Sequence, residues 1–400
     1  MKSLGILHTD FHTGWGGQAS RILMLSKELA QRGHRVTIAA PMGELSRRAQ
    51  EAARTAPGLS VEDGFAFRAP GHAVSFLRDV SRMKALLRRG AFDIVDVHGS
   101  QDSWVTGITR ALTGMPECLV MTRHNTKRVR TSRPNRLLYG RLIDHLILVD
   151  ESVRREYAAF LADGTLEASR ISVISSAYRA DLFHEGIRGG ALRRELALPD
   201  AAVIIGVAGR LVLDKGHTFL MQAAARLRPR LTGLTLVFAG TGPNEARLRQ
   251  EAAALGLADA VHFLGFRSDI NSVEASFDMA VLPSIGCDAS SATIKEAMAL
   301  GVPVIASDIG GARHIIEDGV TGRVVPPGDP EALETALRAA LEDREATGRM
   351  ARRAQTEVVR RFSISRLADE TLEAYRTALA RAEAGPAGRE AAAVRSRRSA

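Results

Sequence analysis

The chain has 400 residues, 45% hydrophobic and 25% charged, with a formal net charge of +9 and a pI near 10.1. Those proportions fit a folded globular protein of roughly two or three domains and exclude a disordered chain, a collagen and a disulfide scaffold. Aromatic residues make up only 5%, which argues against base-stacking platforms for single-stranded nucleic acid.

The charge is unevenly placed. Residues 1–190 carry 27 Lys and Arg against 19 Asp and Glu, residues 191–380 carry 22 against 24, and residues 381–400 carry 5 against 2. The first half therefore points to an anionic partner. Cys118 and Cys287 lie too far apart in sequence for a disulfide framework or a zinc spacing, which suits a reducing compartment. The apolar start is too short for a signal peptide, and no apolar run reaches the roughly 18 residues of a bilayer span. A cytoplasmic protein is expected.

In chain order, residues 4–8 read as a buried strand and residues 12–17, His-Thr-Gly-Trp-Gly-Gly, as a glycine-rich loop. Ile22, Leu25 and Leu29 then recur at helical spacing over 18–32, closed by Gly33. Residues 35–40 are the next strand, followed by strands at 92–97, 117–122, 145–149 and 171–174. A second register opens at 203–208, a strand almost without polar residues, as parallel sheets covered on both faces require. Strands follow at 234–239, 261–264, 279–282 and 302–306, with helices at 217–228 and 244–255. Helices at 330–342, 345–361 and 363–381 close the pattern. The expected domains are 1–185, a linker 186–201 containing Gly186, Gly189 and Gly190, 202–362, a helix 363–381 returning to the first domain, and a disordered basic tail 382–400. The fold class is α/β with parallel sheets.

Five features offer chemistry, each with a plain alternative. Gly14, Gly16 and Gly17 precede a helix, where a ligand can approach backbone N–H groups; a tight turn would need the same residues. Arg210 and Lys215 lie between Gly209 and Gly216 after a strand, suiting a diphosphate, although two solvated cations would look alike. The spacing is not a Walker loop. Asp288 and Glu296 bracket a helix start where carboxylates can accept from sugar hydroxyls, whereas Thr293 and Glu296 also fit a capping box. His98 and His124 stand at successive strand ends, where parallel sheets bind ligands, although a lone histidine is more often a packed or exposed residue than a catalyst. Arg123, Lys127, Arg128, Arg130, Arg133, Arg136 and Arg141 form a stretch without an acid, either a solvated face or a docking surface for anionic lipid. No nucleic-acid module accompanies it.

Gly240-Thr-Gly-Pro suggests a nicotinamide oxidoreductase, but Glu245 occupies the third glycine's place in that fingerprint.

The ordered set Gly209-Arg-Leu-(x)3-Lys-Gly, Leu236-Val-Phe-Ala-Gly-Thr-Gly-Pro, Val261-His-Phe-Leu-Gly, Ile294-Lys-Glu-Ala-Met-Ala-Leu-Gly-Val-Pro and Asp318-Gly-Val-Thr-Gly resembles retaining glycosyltransferases of family 4. The resemblance runs over about residues 3–380. It implies the GT-B fold of two facing Rossmann-like domains. It also implies a hexosyltransferase moving sugar from a nucleotide diphosphate sugar, without metal or cofactor, to a glycan or lipid-linked acceptor such as lipopolysaccharide core. By that likeness Arg210 and Lys215 hold the diphosphate and its leaving charge. Glu296 binds ribose, Asp288 contacts the donor sugar, and Ser291 and Ala292 meet sugar and phosphate. His124 lies near the donor sugar, Gly16 and Gly17 line the cleft with His98, and the backbone of Gly265, Phe266 and Arg267 meets the base. The acceptor proton passes to a leaving phosphate oxygen. Asp288 replaces the family's Glu, and Asp96 replaces the first histidine of a His-x-His pair. A non-catalytic nucleotide-sugar-binding protein is the alternative those departures raise.

Overall fold

The structure, a computed structural model, describes residues 3–68, 71–286 and 291–384. The chain forms two compact units, Met1–Ser176 with Ile364–Ala400, and Ala177–Ser363. The boundary falls before the expected residue 185, because Tyr178, Phe183 and Leu192 are buried in the core of the second unit.

The first unit holds a parallel seven-stranded sheet: β1 (Gly5–Thr9), β2 (Arg35–Ala39), β3 (Leu59–Glu62), β4 (Ile94–Val97), β5 (Leu119–Arg123), β6 (His145–Leu148) and β7 (Ile171–Val173). Their order is β3-β2-β1-β4-β5-β6-β7. The second unit has six parallel strands: β8 (Val203–Ala208), β9 (Leu234–Ala239), β10 (Val261–Gly265), β11 (Met279–Leu282), β12 (Val304–Ser307) and β13 (Arg323–Val325). Their order is β10-β9-β8-β11-β12-β13. Strand order reverses between β1 and β4 in one sheet and between β8 and β11 in the other. Such switch points open a crevice at the carboxyl ends of the strands.

Alternation explains β8. Val203, Ile205 and Val207 enter one apolar cluster while Ile204 enters the cluster on the opposite face. A strand with both faces covered has no room for polar residues. β3 and β13, with 4 and 3 residues, lack an apolar run long enough to announce them. β12 starts at Val304, later than expected, since Pro303 has no N–H to give a ladder.

The last helix, Ile364–Glu383, lies in the first unit and runs past the expected end at 381. Leu367, Ala368, Leu372, Tyr375 and Ala378 make its buried face, at helical spacing. Arg32 holds its start through Asp369 (2.5 Å) and Ser365 Oγ (2.9 Å), and Arg381 reaches Glu167 (2.8 Å). Residues 382 and 383 of the expected tail therefore belong to this helix, and residues 385–400 lie outside the described residues.

Candidate active site

The first unit's switch point is built from buried polar groups. At the end of β4, the His98 N–H donates to Thr9 O (3.1 Å), and Asp102 Oδ2 accepts from the N–H groups of His98 (3.0 Å) and Gly99 (3.1 Å) and from Thr9 Oγ1 (2.6 Å). Asp102 thus caps the helix Ser100–Thr113, while burial and neighbouring Asp10 push its carboxyl up to about 7. Gly99 is sterically required: a β-carbon there would lie 2.1 Å from the Phe11 ring and 2.4 Å from Asp102 Oδ1.

His98 and His124 come together, with Nδ1 of the first 2.9 Å from Nε2 of the second. Burial pushes His98 down to about 3 and His124 well below its ordinary value, so both rings are neutral. Behind them, Asp96 accepts from Thr122 Oγ1 (3.0 Å) and Tyr375 Oη (2.7 Å). Tyr375 Oη also contacts His8 Nε2 (3.0 Å), and His8 Nδ1 contacts Ser26 Oγ (2.8 Å). Because Tyr375 donates to Asp96, it accepts from His8, which places the His8 proton on Nε2. His8, Asp96 and His98 are close enough to share a metal ion. Both His8 nitrogens and the Asp96 oxygens are already engaged in these bonds, so the group reads as a hydrogen-bond network instead. The Asp96 that departs from the family pair therefore ties the last helix to the strand bearing His98.

A cavity of about 630 Å³ opens here, lined by Phe11, His12, Gln18, His98, Trp104 and Tyr139 among others. Arg123, Lys127, Arg128 and Arg130 also line it, and among the described residues no carboxylate does. Two members of the basic stretch are spoken for: Arg123 donates to Lys127 O (2.8 Å), and Arg136 pairs with Asp163. Gly16 and Gly17 stand beside open space at the start of the helix Gly17–Gln31, where added β-carbons would meet nothing within 4 Å.

The second unit's switch point is built from backbone. Leu211 N donates to Thr241 O (2.9 Å), and Ile285 N donates to Asp214 O (2.8 Å), locking the loops after β8, β9 and β11 together. Gly216, at φ 68°, passes so close that a β-carbon would sit 1.8 Å from Pro283 O. Arg210 is exposed on this loop and Lys215 half-buried. Gly265 ends β10 beside open space, and Phe266 is 80% exposed. The Arg267 side chain is committed to Glu195 (2.6 Å) and Asp269 (2.7 Å), leaving its backbone for a ligand.

The cap of the helix Ala292–Ala299 is Ser291, whose Oγ accepts from Ile294 N (3.5 Å). Thr293 lies inside the helix, so the alternative of a capping box with Thr293 does not hold and Glu296 has no capping role there. Burial raises the Glu296 carboxyl, with Arg179 and Lys295 pulling the other way. Glu274, 2% exposed, is raised further by burial and by Glu296. Asp288 and Cys287 lie outside the described residues.

The family described as Glycosyltransferase Family 4 matches residues 15–182, and Glycosyl transferases group 1 matches residues 190–357. A D-inositol 3-phosphate glycosyltransferase of Saccharomonospora viridis is 30% identical over 338 residues, 78% of this chain and 76% of that one. The chain belongs to glycosyltransferase family 4. It is also similar to the 2-deoxystreptamine N-acetyl-D-glucosaminyltransferase of Streptomyces fradiae, at 28% identity over 95% of this chain and 97% of that one. Among solved structures, Anabaena Alr3699/HepE in complex with UDP-glucose matches with a TM-score of 0.75 at 22% identity, covering 92% of this chain and 98% of that one. The fold of this family 4 glycosyltransferase is thus that of GT-B enzymes.

Several residues of the candidate site leave no mark in the sequence. Asp10, His12 and Trp104 fall in none of the family's motifs, and Tyr375 is remote in sequence from the strands it serves. Position directly after a strand was the one available signal for Asp10 and His12.

Proposed function

We propose that this glycosyltransferase moves a hexose, with retention, from a nucleotide diphosphate sugar to an acceptor bearing phosphate or carboxylate. The observation that carries the acceptor class is the cavity lined by Arg123, Lys127, Arg128 and Arg130 and, among the described residues, by no carboxylate. A polyamine such as an aminocyclitol would meet like charge there, whereas a phosphorylated cyclitol, a lipid-linked sugar or a lipopolysaccharide core would be attracted. The names of the relatives include one acceptor of each kind.

Donor binding is assigned to the second unit. Arg210 and Lys215 neutralise the diphosphate, and the departing negative charge is stabilised by them and by the N-terminus of the helix Ala292–Ala299. Glu296, together with the Ser291 and Ala292 backbone, holds ribose and sugar, and the backbone of Gly265–Arg267 faces the base. Asp288 contacts the donor sugar, and His98 and His124 offer neutral hydrogen-bonding edges. The cofactor requirement is none. The solved relative that binds UDP-glucose supports this donor class. Among the described residues no helix is long and apolar enough to cross a membrane. The exposed Arg128, Arg130, Arg133 and Arg141 favour the inner face of the cytoplasmic membrane.

A thermal-shift screen of nucleotide sugars tests the donor, since a bound ligand stabilises the folded state by mass action. The cognate donor is then assayed with phosphorylated and amino acceptors in parallel. Preference for the amino acceptor would sink the acceptor class. Salt-dependent co-sedimentation with anionic vesicles tests the membrane position.

A further inference from the structure

We propose that Trp104 seats the ring of the acceptor: a pyranose or cyclitol lays its C–H face on the indole while its phosphate sits on Lys127, Arg128 and Arg130. The inference deepens the acceptor class proposed above and rests on it.

The cavity of about 630 Å³ falls within the range of roughly 300–1,000 Å³ typical of small-molecule sites. Besides histidines, its described lining has three aromatic side chains, Phe11, Trp104 and Tyr139. Two of them are already engaged. The Phe11 ring lies 3.9 Å from the His12 ring between centroids and is wedged against Gly99. Tyr139 is buried and meets Tyr157 edge-on, at 5.2 Å between centroids. Trp104 is half-buried, and among the described residues no ring or guanidinium covers its indole and no hydrogen bond engages its N–H. Trp15, the second tryptophan of the chain, makes the contrast, with the Arg48 guanidinium 4.2 Å from its ring centroid.

Packing gives little account of Trp104. The helix Ser100–Thr113 buries Asp102, Ser103, Val105, Thr106, Gly107 and Thr109, and leaves its largest side chain at the cavity. An indole open to water keeps apolar surface that a ligand's face can cover at a gain.

The groups beside it are polar and charged. Lys127, Arg128 and Arg130 are exposed, and among the described residues no ion pair engages their side chains. Their loop is held by buried Val129 and by Asn135 Nδ2, which donates to Arg130 O (2.7 Å). Ser100 and Asn125 add a hydroxyl and an amide that can bond ring hydroxyls.

Cations alone select for phosphate; an open indole among them selects for a flat apolar face as well. A six-membered ring in its chair has such a face, made of axial C–H groups that suit the negative face of the indole. Its hydroxyls lie around the rim, where the indole N–H can donate to one. Glycerol phosphate, like the headgroup of a simple phospholipid, has no ring to lay there. A cationic aminocyclitol would also suit the indole, but it meets like charge on Lys127, Arg128 and Arg130. Every group invoked belongs to the first unit, and Trp104 acts in binding alone.

The test reads binding and turnover separately. In Trp15→Phe, Trp104 is the sole tryptophan, so its emission reports on the cavity. That protein is titrated with myo-inositol 1-phosphate and glucose 6-phosphate, and with inorganic phosphate and glycerol phosphate as controls. Both ring phosphates are expected to change the emission saturably and to shield Trp104 from acrylamide, and the controls to do neither. Trp104→Ala should raise the calorimetric Kd for ring phosphates and the acceptor KM about tenfold, with kcat nearly unchanged. Trp104→Phe, which keeps an aromatic face, should raise them about threefold. The Kd for inorganic phosphate should not move in either variant, which shows that the cavity is intact. Equal responses to glycerol phosphate and to the ring phosphates overturn the proposal, because the cations alone then bind. An indole already shielded from acrylamide in the free protein overturns it too, since another surface then covers Trp104. Ring phosphates that bind by calorimetry without changing the emission overturn the ring seat and leave the acceptor class standing. No binding of any phosphorylated compound overturns the acceptor class, and the seat with it.

Discussion

The two switch points solve the same problem with different materials. In the first unit, side chains from β1, β4, β5 and the last helix are buried and bonded to one another. In the second, backbone loops lock together and a few charged side chains, Arg210, Lys215 and Glu296, are set on top. The backbone version needs glycines and tolerates little else, so it writes itself into short motifs. The side-chain version draws on residues far apart in sequence, such as His8 and Tyr375. A nucleotide diphosphate is a constant ligand that a backbone cradle can serve, whereas acceptors vary and are better matched by exchangeable side chains.

The sharpest way to break this contrast is Lys215→Ala. If Lys215 holds the departing diphosphate as proposed, its loss should cost about 100- to 1,000-fold in turnover. Nucleotide-dependent thermal stabilisation should shrink with it. Turnover near wild type would show that the second unit does not rest on its few placed cations.

Next comes the double variant Arg128→Ala, Arg130→Ala. It should raise acceptor KM about tenfold or more, leave donor KM unchanged and flatten the salt dependence of acceptor binding. A shift in donor KM would mean that the cavity serves the other ligand.

Tyr375→Phe probes the side-chain network without touching either ligand. It strips Asp96 of a donor and His8 of an acceptor, which should destabilise the first unit by about 1–3 kcal/mol in urea unfolding. Nucleotide affinity should not change, because the second unit holds no part of this network. An unaltered unfolding midpoint would demote the network to decoration.

The gentlest effect is on pH. Burial holds His8 and His98 near 3, His145 near 4 and His124 well below its usual value. Their unfolded-state pKa is near 6.5, so the unfolded chain binds more protons as pH falls from there, and stability drops. Asp96, Asp102, Glu274 and Glu296, raised by burial, and His12, raised by Asp10, act in the opposite sense, but with His34, His217 and His262 also lowered the seven depressed histidines outnumber those five groups. Between pH 7.5 and 6 the loss should stay below about 1 kcal/mol per histidine. Unfolding midpoints across that range would check it; stability that rises on acidification would contradict the assignment of neutral rings.

Much of the fold was legible because buried parallel strands read as apolar runs. β8, β9 and β11 appear in the sequence with the bounds they have in the structure. β3 and β13 were hidden, being short edge strands with exposed or half-buried positions. The glycine loops of the candidate site were legible for the same reason as the strands: a local constraint leaves a local trace. Thr293 and Ser291 offer the same capping chemistry two residues apart, and only the path of the chain chooses Ser291.

By itself, the sequence determined the α/β class, the two parallel sheets, the family and the cations at the start of the second sheet. All of these follow from hydrophobic periodicity and from residues near one another in the chain. Only tertiary structure decided that Tyr375 bonds Asp96 and that His98 is neutral. It alone gathered four cations around one cavity that no carboxylate lines among the described residues, and set His12 on Asp10 beside that cavity. Those are facts of burial and of contacts between distant segments, which depend on how strands order in a sheet and leave no periodic mark on the sequence.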